Sequence, residues 1–361
     1  MKKATAILLA AIMIIGILAG CGGSSAPASS TETKTETKTE TKTETKAEVK
    51  PIVLKLSHNA AVGQTIDLGC EMFAKEVNEK TEGRVEIQIF PNNILGSEVA
   101  TRDMIKDGSV DMVAMGNASL STYTGVMDLV QTLYLWQSEE EMLAIMTGDF
   151  GQKYFVEPFL ANQNVRILDQ WPQSARQLLT TKPIRSLEDL NGLKLRTPAG
   201  IPMWESGWAN LGAMSLSLAL DEAFTALQQG VCDGVEMPMD FLYNYRFQDV
   251  AKYLTLTNHN RYTQFIMINE DSWNKLTDGD KAIMTEAIKK AGEWATQANH
   301  ENEQKMMDAM VSESGVEIIE LSDDEIAKFK AVIDPLYEVY MDNWGREAYD
   351  DLMAALKDYR S

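Results

Sequence analysis

The fold is constrained most strongly by an alternation of strand-type and helix-type segments through most of the chain. Residues 52–56 and 110–115 are short apolar runs typical of strands, whereas residues 65–80 and 97–106 repeat their apolar positions at helical spacing. Residues 84–90 alternate apolar and polar side chains, as a half-buried strand does. This order favours the α/β class, with parallel sheets covered by helices. Ligands of such folds bind beyond the carboxyl ends of the strands.

One predicted helix is much longer than the others. Residues 280–312 contain no proline and a single glycine, Gly292, among strong helix-forming residues. A helix of this length is rare inside one small lobe. We predict that it crosses two lobes, because the polar residues 299–304 suit the gap between them. Two helices with a break near Asn299 are the alternative.

The N-terminus carries an export signal and a lipidation motif. Two lysines precede an apolar run at residues 6–18, which is too short to span a bilayer comfortably. The junction Leu18-Ala19-Gly20-Cys21 resembles the bacterial lipobox, which implies that Cys21 is acylated and becomes the mature N-terminus. We therefore predict a lipoprotein signal peptide at residues 1–20 and a lipid anchor on the extracytoplasmic face of the membrane. An ordinary signal peptide followed by an incidental cysteine is the alternative.

Residues 21–50 are predicted to be a disordered tether. The sequence Thr-Glu-Thr-Lys occurs four times between residues 31 and 46, and each repeat holds one acid and one base. Such a segment cannot bury enough apolar surface to offset the entropy of ordering it. A helical stalk is the alternative, but threonine at every second position disfavours it.

Charge and motifs exclude several function classes. The formal net charge of −20 opposes binding of nucleic acid through the overall field, so an anionic ligand needs a local cationic pocket. The sequence has no glycine-rich nucleotide loop and no G-x-S-x-G elbow, and its three histidines lack metal-ligand spacing. We therefore predict no catalytic residues, no metal and no cofactor. Cys70 and Cys232 are expected to be buried free thiols.

Several motifs resemble those of one family. Residues 73–98 read F-A-K-E-V-N-E-K-T-E-G-R-V-E-I-Q-I-F-P-N-N-I-L-G-S-E, and residues 107–112 read D-G-S-V-D-M. Residues 174–238 include S-A-R-Q-L-L-T-T-K-P, L-K-L-R-T-P and D-G-V-E-M-P. In this order the motifs are similar to those of the DctP-like solute-binding proteins of tripartite ATP-independent periplasmic (TRAP) transporters. The resemblance implies a two-lobed, periplasmic-binding-protein-like (type II-like) fold with an interlobe ligand cleft and a lobe-spanning helix.

The resemblance also implies domain boundaries and a function. We predict lobe I from residues 51–173 and 262–298, and lobe II from residues 174–261 and 299–361, the last with the C-terminal helices. The implied function is a receptor that binds an organic acid and delivers it to TRAP integral membrane subunits, without an ATPase and without an enzymatic step. A ligand-sensing protein for a membrane signalling receptor is the alternative. A carboxylate-processing enzyme is the second alternative. It stays open because two carboxylates that the fold brings together would leave no motif in the sequence.

Two arginines are the implied anion-binding residues. The family arginine of the L-K-L-R-T-P motif, which pairs with the ligand carboxylate, is Arg196 here. The arginine of A-R-Q-L-L-T-T is Arg176, which the resemblance places near the same anion, although a structural pairing with an acidic residue is a credible role for it. A guanidinium offers two parallel N–H donors to a carboxylate, and lysine does not. We expect both side chains to be hydrated before ligand binds.

The other candidate residues rest on weaker signals. Glu98 points toward the cleft in the family, but it also suits the first turn of a helix. Met237 replaces the asparagine that family members often carry in D-G-x-E-N-P, which suggests an aromatic, branched or keto monocarboxylate rather than a sugar acid. Asn117 follows a predicted strand at the cleft, and Gln264 lies near the second crossing between lobes. Trp204 lines the pocket or fills the core, as do three further apolar residues: Trp171, Leu220 and Phe224.

Overall fold

A computed structural model describes residues 50–199 and 201–361. The predicted signal peptide, the acylated Cys21 and nearly all of the predicted tether therefore lie outside the described residues. Within the described part, no helix has the length and apolar character needed to cross a membrane.

The described chain contains strands and helices in close alternation. The strands are β1 (Ile52–His58), β2 (Val85–Phe90), β3 (Met112–Gly116), β4 (Val165–Gln173), β5 (Arg176–Thr180), β6 (Lys194–Thr197), β7 (Met214–Ser217), β8 (Gly234–Pro238), β9 (Tyr253–Leu256), β10 (Tyr262–Asn269) and β11 (Glu317–Glu320). The α-helices are α1 (Thr65–Lys80), α2 (Glu98–Asp107), α3 (Gly125–Leu129), α4 (Glu139–Thr147), α5 (Asp149–Gly151), α6 (Glu157–Gln163), α7 (Pro202–Asn210), α8 (Leu220–Gln228), α9 (Met239–Asn244), α10 (Glu270–Asn274), α11 (Asp278–Ser314), α12 (Asp323–Ile333), α13 (Leu336–Trp344) and α14 (Arg346–Arg360). Short 3-10 turns occupy Asn117–Leu120, Leu187–Leu190 and Phe247–Asp249, and a π-helical turn occupies Gln152–Val156.

Two sheets organise these elements into two lobes. The first sheet has the order β2-β1-β3-β10-β4, and the second has the order β11-β9-β5-β8-β6-β7. We call the bodies around them lobe I and lobe II. The predicted α/β class is confirmed, and the strands fall on either side of the predicted crossings between β4 and β5 and between β9 and β10. The exact domain boundaries stay a prediction.

The expectation of parallel sheets is wrong at the crossing strands. The strands β1, β2 and β3 pair in parallel, as do β6 with β7 and β8, and β9 with β11. However, β10 runs antiparallel to both β3 and β4, and β5 runs antiparallel to β8 and β9. A chain that passes from one lobe to the other and returns must bring its strands back in the opposite direction. A strand–helix pattern does not contain that information.

The long helix is confirmed as one unbroken element. Helix α11 has 37 residues, and its N-cap is Thr277, whose hydroxyl accepts from the Asp280 amide at 3.1 Å. It ends at Gly315, which has a left-handed φ of 67°. The helix contacts α1 and β4 in lobe I and α9 in lobe II, so it spans both. At its middle, Asn299 donates to the Gln173 side-chain oxygen at 3.1 Å, beside the crossing from β4 to β5.

Close packing explains Gly292 within this helix. A Cβ built on Gly292 would lie 2.4 Å from Trp171 Nε1, and one on Gly69 of α1 would lie 2.9 Å from the same ring. Trp171 is fully buried there, and its indole donates to Asp169 at 3.0 Å. Trp171 therefore fills the core of lobe I and does not line the cleft. The buried thiol of Cys70 belongs to the same apolar cluster, whereas Cys232 lies free and buried in lobe II.

The C-terminal helices pack away from the second sheet. Helix α14 contacts α3, α4 and α5, and α13 contacts α3. Arg360 near the end of the chain forms a bidentate pair with Glu141, at 2.7 and 2.8 Å. The last two helices thus cover the helices that follow β3.

Candidate functional site

A small cavity lies between the two lobes, and we call it the inner cavity. Its volume is about 30 Å³. Both lobes contribute to its wall, which consists of Asn59, Glu98 and Ala118 from lobe I, Arg176, Arg196, Pro198, Leu220, Met237, Pro238 and Phe241 from lobe II, and Tyr262 at the start of β10. Four of the seven predicted ligand-binding residues are therefore together at one site.

Arg196 supplies an unpaired cation to this cavity. It lies on β6, which pairs with β7 and β8 in the second sheet, and its side chain is only 4% exposed. Its Nε donates to the carbonyl of Leu218 at 3.0 Å, and no described carboxylate lies within ion-pair distance of it. Burial, helped by the charge of the neighbouring Arg176, lowers the pKa of Arg196 to about 10, although the charges of Glu236 and Glu98 act against this. A buried guanidinium without a counter-ion favours an anionic ligand.

Arg176 is held by a counter-ion of its own. Its Nε lies 2.7 Å from Glu236 Oε2, and its Nη2 lies 2.9 Å from Oε1 and 2.7 Å from the Glu236 carbonyl. The guanidinium also lies between two aromatic rings, 4.8 Å from that of Trp204 and 5.1 Å from that of Tyr262. Arg176 thus lines the cavity, but the structural pairing considered from the sequence is the one observed.

His259 also contacts the carboxylate of Glu236. Its Nε2 lies 3.0 Å from Glu236 Oε2, and its Nδ1 lies 2.7 Å from the Thr257 hydroxyl. Burial lowers the pKa of His259, although the hydrogen bond and the charge of Glu236 act against this. Because an ionised carboxylate can only accept, Nε2 is the nitrogen that donates to Glu236. Burial alone would raise the pKa of Glu236, but Arg176 and His259 outweigh it and hold that pKa below its usual range. Glu236 therefore stays ionised, and the pair with Arg176 is electrically neutral.

One expectation about the two arginines is wrong. We expected hydrated side chains, yet each is 4% exposed. Arg196 is covered at a cavity to which both lobes contribute, and Arg176 lies against the rings of Trp204 and Tyr262. Because its counter-ion is also buried, we expect Arg176 to contribute to the stability of the protein itself.

Glu98 lies both in the first turn of a helix and at the cavity wall, the two positions considered from the sequence. It is the first residue of α2, next to the N-cap Ser97, and it lines the inner cavity. Its Oε1 accepts from the Gly116 amide at 3.0 Å. Burial raises the pKa of Glu98, although Gly116, Ser119 and the charge of Arg196 act against that rise. The side chain is therefore a hydrogen-bond acceptor at the cavity wall.

The rest of the inner wall is largely apolar. Met237 on β8 is 2% exposed and lines the cavity together with Leu220, Pro238 and Phe241. The methionine at the position of a frequent family asparagine thus faces the site, as expected if the ligand is apolar there. Leu220 is part of the wall. Phe224 packs instead against Phe247, with ring centroids 6.0 Å apart.

Three predicted residues lie behind the cavity wall. Trp204 stacks on Arg176 and donates from its indole to the Gln131 carbonyl at 2.6 Å. Gln264 is fully buried, with its Nε2 3.4 Å from both Asn59 Oδ1 and the Tyr262 hydroxyl. Asn117 is fully buried at the start of a 3-10 turn. Their contribution to ligand binding stays a prediction.

Sequence reasoning missed several wall residues. Asn59 directly follows β1, and the rule that ligands bind beyond the carboxyl ends of strands could have indicated it. Ala118, Pro198 and Pro238 likewise follow or end strands. Tyr262 and Phe241 had no comparable signal, because their position depends on how the two lobes meet.

The chain was compared with known proteins. The profile of the bacterial extracellular solute-binding proteins of family 7 (DctP) matches residues 56–343. A solute-binding protein of Roseobacter denitrificans is 31% identical over 243 residues, which are 67% of this chain and 74% of the relative. The C4-dicarboxylate-binding protein DctB of Bacillus subtilis is 28% identical over 311 residues, 85% of this chain and 87% of the relative.

Solved structures share the same architecture. A TRAP periplasmic solute-binding protein of Ochrobactrum anthropi, with its C-terminus bound in the ligand-binding pocket, superposes with a TM-score of 0.76 at 30% identity. That superposition covers 87% of this chain and 97% of the other. The Roseobacter denitrificans protein with bound L-galactonate has a TM-score of 0.76 at 27% identity, over 84% of this chain and 98% of the other.

Proposed function

Because the chain belongs to the family 7 bacterial extracellular solute-binding proteins, we propose that it is an extracytoplasmic receptor for an organic acid. It binds the acid between its two lobes and delivers it to the integral membrane subunits of a TRAP-type transporter. The motifs that resembled this family lie within the matched residues 56–343, so the resemblance is confirmed. The curated relatives named above are binding proteins, and we infer that this chain also binds its ligand without chemical conversion.

The observation that carries this proposal is the difference between the two cavity arginines. Arg176 is neutralised by Glu236, whereas Arg196 lies buried at the same cavity without a carboxylate among the described residues. An ion in a site of low dielectric is costly unless it is paired. A ligand carboxylate supplies the missing charge and accepts two parallel N–H bonds from the guanidinium.

The apolar wall supports a restricted ligand class. Met237, Leu220, Pro238 and Phe241 offer no hydrogen-bonding side chain to the inner cavity. A hydroxyl group in contact with these four side chains would lose hydrogen bonds to water without replacing them, whereas Asn59, Glu98 and Tyr262 can bond to polar groups elsewhere in the same wall. We therefore favour an aromatic, branched or keto monocarboxylate as the ligand of this chain.

Contacts across the cleft support binding by closure. Gln64 of lobe I donates to Asp240 Oδ2 of lobe II at 2.9 Å, and the Tyr245 hydroxyl of lobe II bonds to the Asn59 carbonyl of lobe I. These bonds join the two lobes across the cleft beside the inner cavity. Opening must break them, and a ligand that contacts both lobes favours their formation.

The proposal includes a lipid anchor. The lipobox-like junction at Cys21 supports acylation of that cysteine, followed by the hydrophilic tether at residues 21–50. This arrangement keeps the receptor at the extracytoplasmic face of the membrane, where its transporter partner lies. Uptake then uses an ion gradient and no ATPase.

The test is identification of the acid that co-purifies with the protein. Mass spectrometry of the denatured wild-type protein is expected to reveal a carboxylate at near-stoichiometric amounts, and a thermal-shift screen of organic acids is expected to confirm that it stabilises the protein. The Arg196→Ala variant should lose it, whereas Arg185→Ala should retain it, because Arg185 lies on the surface paired with Glu317. Equal amounts in both variants, or a ligand without an acid group, would contradict the proposal.

A further inference from the structure

A groove separate from the inner cavity lies among the last helices of the chain, and we call it the C-terminal groove. Its volume is about 320 Å³, which is within the usual range for binding sites of small organic molecules. The end of α12, the helices α13 and α14, and the segment between α3 and α4 form its walls. None of the described residues that line it also lines the inner cavity. A ligand of this groove is therefore bound apart from the acid in the cleft.

Three tyrosines form the aromatic part of the wall, namely Tyr134, Tyr337 and Tyr349. The ring centroids of Tyr337 and Tyr349 are 6.0 Å apart and the ring planes are inclined at 57°, so the two rings form a corner rather than a stack. The ammonium group of Lys330 lies 5.9 Å from the centroid of the Tyr134 ring. The faces of aromatic rings carry partial negative charge and attract cations. The rings of Tyr337 and Tyr349 are thus the ones left to attract a cation in the groove.

Two carboxylates add negative charge to the same groove. Asp334 is the C-cap of α12, and Glu338 lies in the first turn of α13. Both side chains are exposed, and neither forms an ion pair with a described residue. Among the described lining residues the cation is Arg360, which Glu141 already binds at 2.7 and 2.8 Å. The groove therefore presents unpaired negative charge to a ligand.

The remainder of the wall is apolar and restricts the kind of cation. It consists of Leu135, Met353 and Leu356. A primary ammonium group is compact and strongly hydrated, so its transfer to an apolar wall costs free energy. A quaternary ammonium group carries methyl groups in place of N–H donors, and it keeps its charge while it packs against apolar and aromatic side chains. The wall therefore favours a quaternary over a primary ammonium ligand.

Tyr134 has two features that are unusual in a passive surface. Its hydroxyl is shielded from solvent and has no hydrogen-bond partner among the described residues. Its φ of 63° is left-handed, which is uncommon for a bulky side chain. Unpaired polar atoms and strained backbone are both rare, and strained backbone is concentrated at binding and catalytic sites. These features support a binding role for the groove.

We propose that the C-terminal groove binds a small quaternary ammonium compound. The rings of Tyr337 and Tyr349 attract its charge, the carboxylates of Asp334 and Glu338 add a longer-range attraction, and the apolar wall contacts its methyl groups. This site is distinct from the cleft between the lobes and does not depend on the identity of the acid bound there.

The test compares two molecules of the same shape. Choline and 3,3-dimethylbutan-1-ol differ only in the atom that carries the three methyl groups, which is a charged nitrogen in choline and a neutral carbon in the alcohol. In calorimetric titration of the wild-type protein at low ionic strength, choline should bind about tenfold or more tightly than the alcohol. Arg196→Ala should bind choline as the wild type does, because Arg196 does not line the groove. Absence of choline binding, equal binding of the two molecules, or loss of choline binding in Arg196→Ala overturns the proposal.

Variants of the wall test the location of the site. Tyr349→Leu should weaken choline binding about fivefold or more, whereas Tyr349→Phe keeps the ring and should stay within about twofold of wild type. Glu338→Gln should also weaken choline binding, and Glu313→Gln, an exposed glutamate on α11, is the matched control that should not. Unchanged binding in both Tyr349→Leu and Glu338→Gln would place the cation elsewhere and overturn the assignment. Tighter binding of Nα-acetyl-arginine amide than of choline would also overturn it, since that result indicates a site for a basic side chain of a partner protein.

Discussion

The carboxylate of Glu236 binds the guanidinium of Arg176 in a bidentate pair that is almost completely buried, with the two side chains 0% and 4% exposed. Because this pair is neutral, Arg176 has little charge left for a ligand, which is why Arg196 is the anion-binding group that we propose for the cleft. His259 forms a hydrogen bond with the Glu236 carboxylate, and the rings of Trp204 and Tyr262 contact the guanidinium of Arg176. The pair lies beside Arg196 in the sheet, because Arg196 on β6 pairs with Val235, the residue before Glu236 on β8.

The first prediction concerns the contribution of the Arg176–Glu236 pair to the stability of the protein. Arg176→Met leaves the Glu236 carboxylate buried without its counter-ion, so we expect a loss of about 3–5 kcal/mol in the free energy of unfolding. The double variant Arg176→Met, Glu236→Gln should recover much of that loss, because it removes the stranded charge. Urea denaturation followed by circular dichroism measures both.

Arg185→Met is the matched control for that experiment. Arg185 pairs with Glu317 on the surface, where the two side chains are 56% and 47% exposed, and such pairs contribute less than about 1 kcal/mol. A loss in Arg176→Met no larger than that in Arg185→Met would show that the buried pair is not a structural element.

Much of the fold could be predicted from the sequence because its information is local. The predicted helix at residues 65–80 coincides with α1, and the long helix was recognised from the absence of proline in residues 280–312. The antiparallel directions of β5 and β10 could not be predicted, since they depend on the return of the chain between lobes. The packing of the last two helices against α3 and α4 could not be predicted either, because it joins segments that are far apart in the sequence.

The site was predictable only where a motif identified it. Arg196 and Met237 stand in short motifs, and both line the inner cavity. The partner of Arg176 was not predictable, because the register that pairs Leu178 with Glu236 joins strands far apart in the sequence. Arg176 lies two residues before Leu178 on β5, so its side chain is on the same face of the sheet as Glu236 and diagonal to it. The burial of both arginines follows from packing that no single segment contains.

The second prediction concerns pH. Burial raises the pKa of Asp240 to about 6 from a usual value of 3.8, with Gln64 donating to it across the cleft. The unfolded chain therefore releases this proton at lower pH than the folded chain does, so the contribution of Asp240 to stability falls as pH rises from about 4 to 6. Asp240→Asn should gain stability over wild type across that window, by on the order of 1–3 kcal/mol above pH 6.

Thermal or urea unfolding of wild type and Asp240→Asn at intervals between pH 4 and pH 8 measures this difference. Comparing the two proteins at each pH cancels the titration of the other acidic groups. A difference that stays constant across the window would mean that Asp240 titrates normally in the folded protein.

The third prediction concerns closure of the cleft. Removing the bond between Gln64 and Asp240 weakens the closed form, and one such bond contributes about 0.5–1.5 kcal/mol. Gln64→Ala should therefore bind the acid about two- to tenfold more weakly, mainly through faster release. Gln88→Ala is the control, because the exposed side chain of Gln88 donates to Glu86 on its own strand, β2, and not across the cleft.

Solution scattering gives a second measure of the same motion. Saturating acid should reduce the radius of gyration of the wild-type protein, and Gln64→Ala should be more expanded than wild type before the acid is added. An identical profile for both proteins, with and without acid at proven saturation, would indicate a rigid scaffold.

The fourth prediction concerns the anchor. Cys21→Ser should release the protein from the membrane fraction or arrest its processing, because the serine cannot carry the diacylglyceryl group. Cell fractionation and incorporation of radiolabelled lipid measure this, with Cys232→Ser as the control, since Cys232 is buried within lobe II. Persistent labelling of Cys21→Ser would exclude Cys21 as the acylated residue.

The most direct test of the account is calorimetric titration of the co-purified acid into wild type, Arg196→Lys and Arg196→Ala. If Arg196 binds the carboxylate in a desolvated, bidentate pair, Arg196→Ala should lose about 2–5 kcal/mol of binding free energy, or roughly 30-fold to several-thousand-fold in affinity. Arg196→Lys should recover only part of this, because lysine keeps the charge but not the paired donors. Binding of all three proteins within a factor of about three would contradict the assignment of Arg196 as the carboxylate-binding residue.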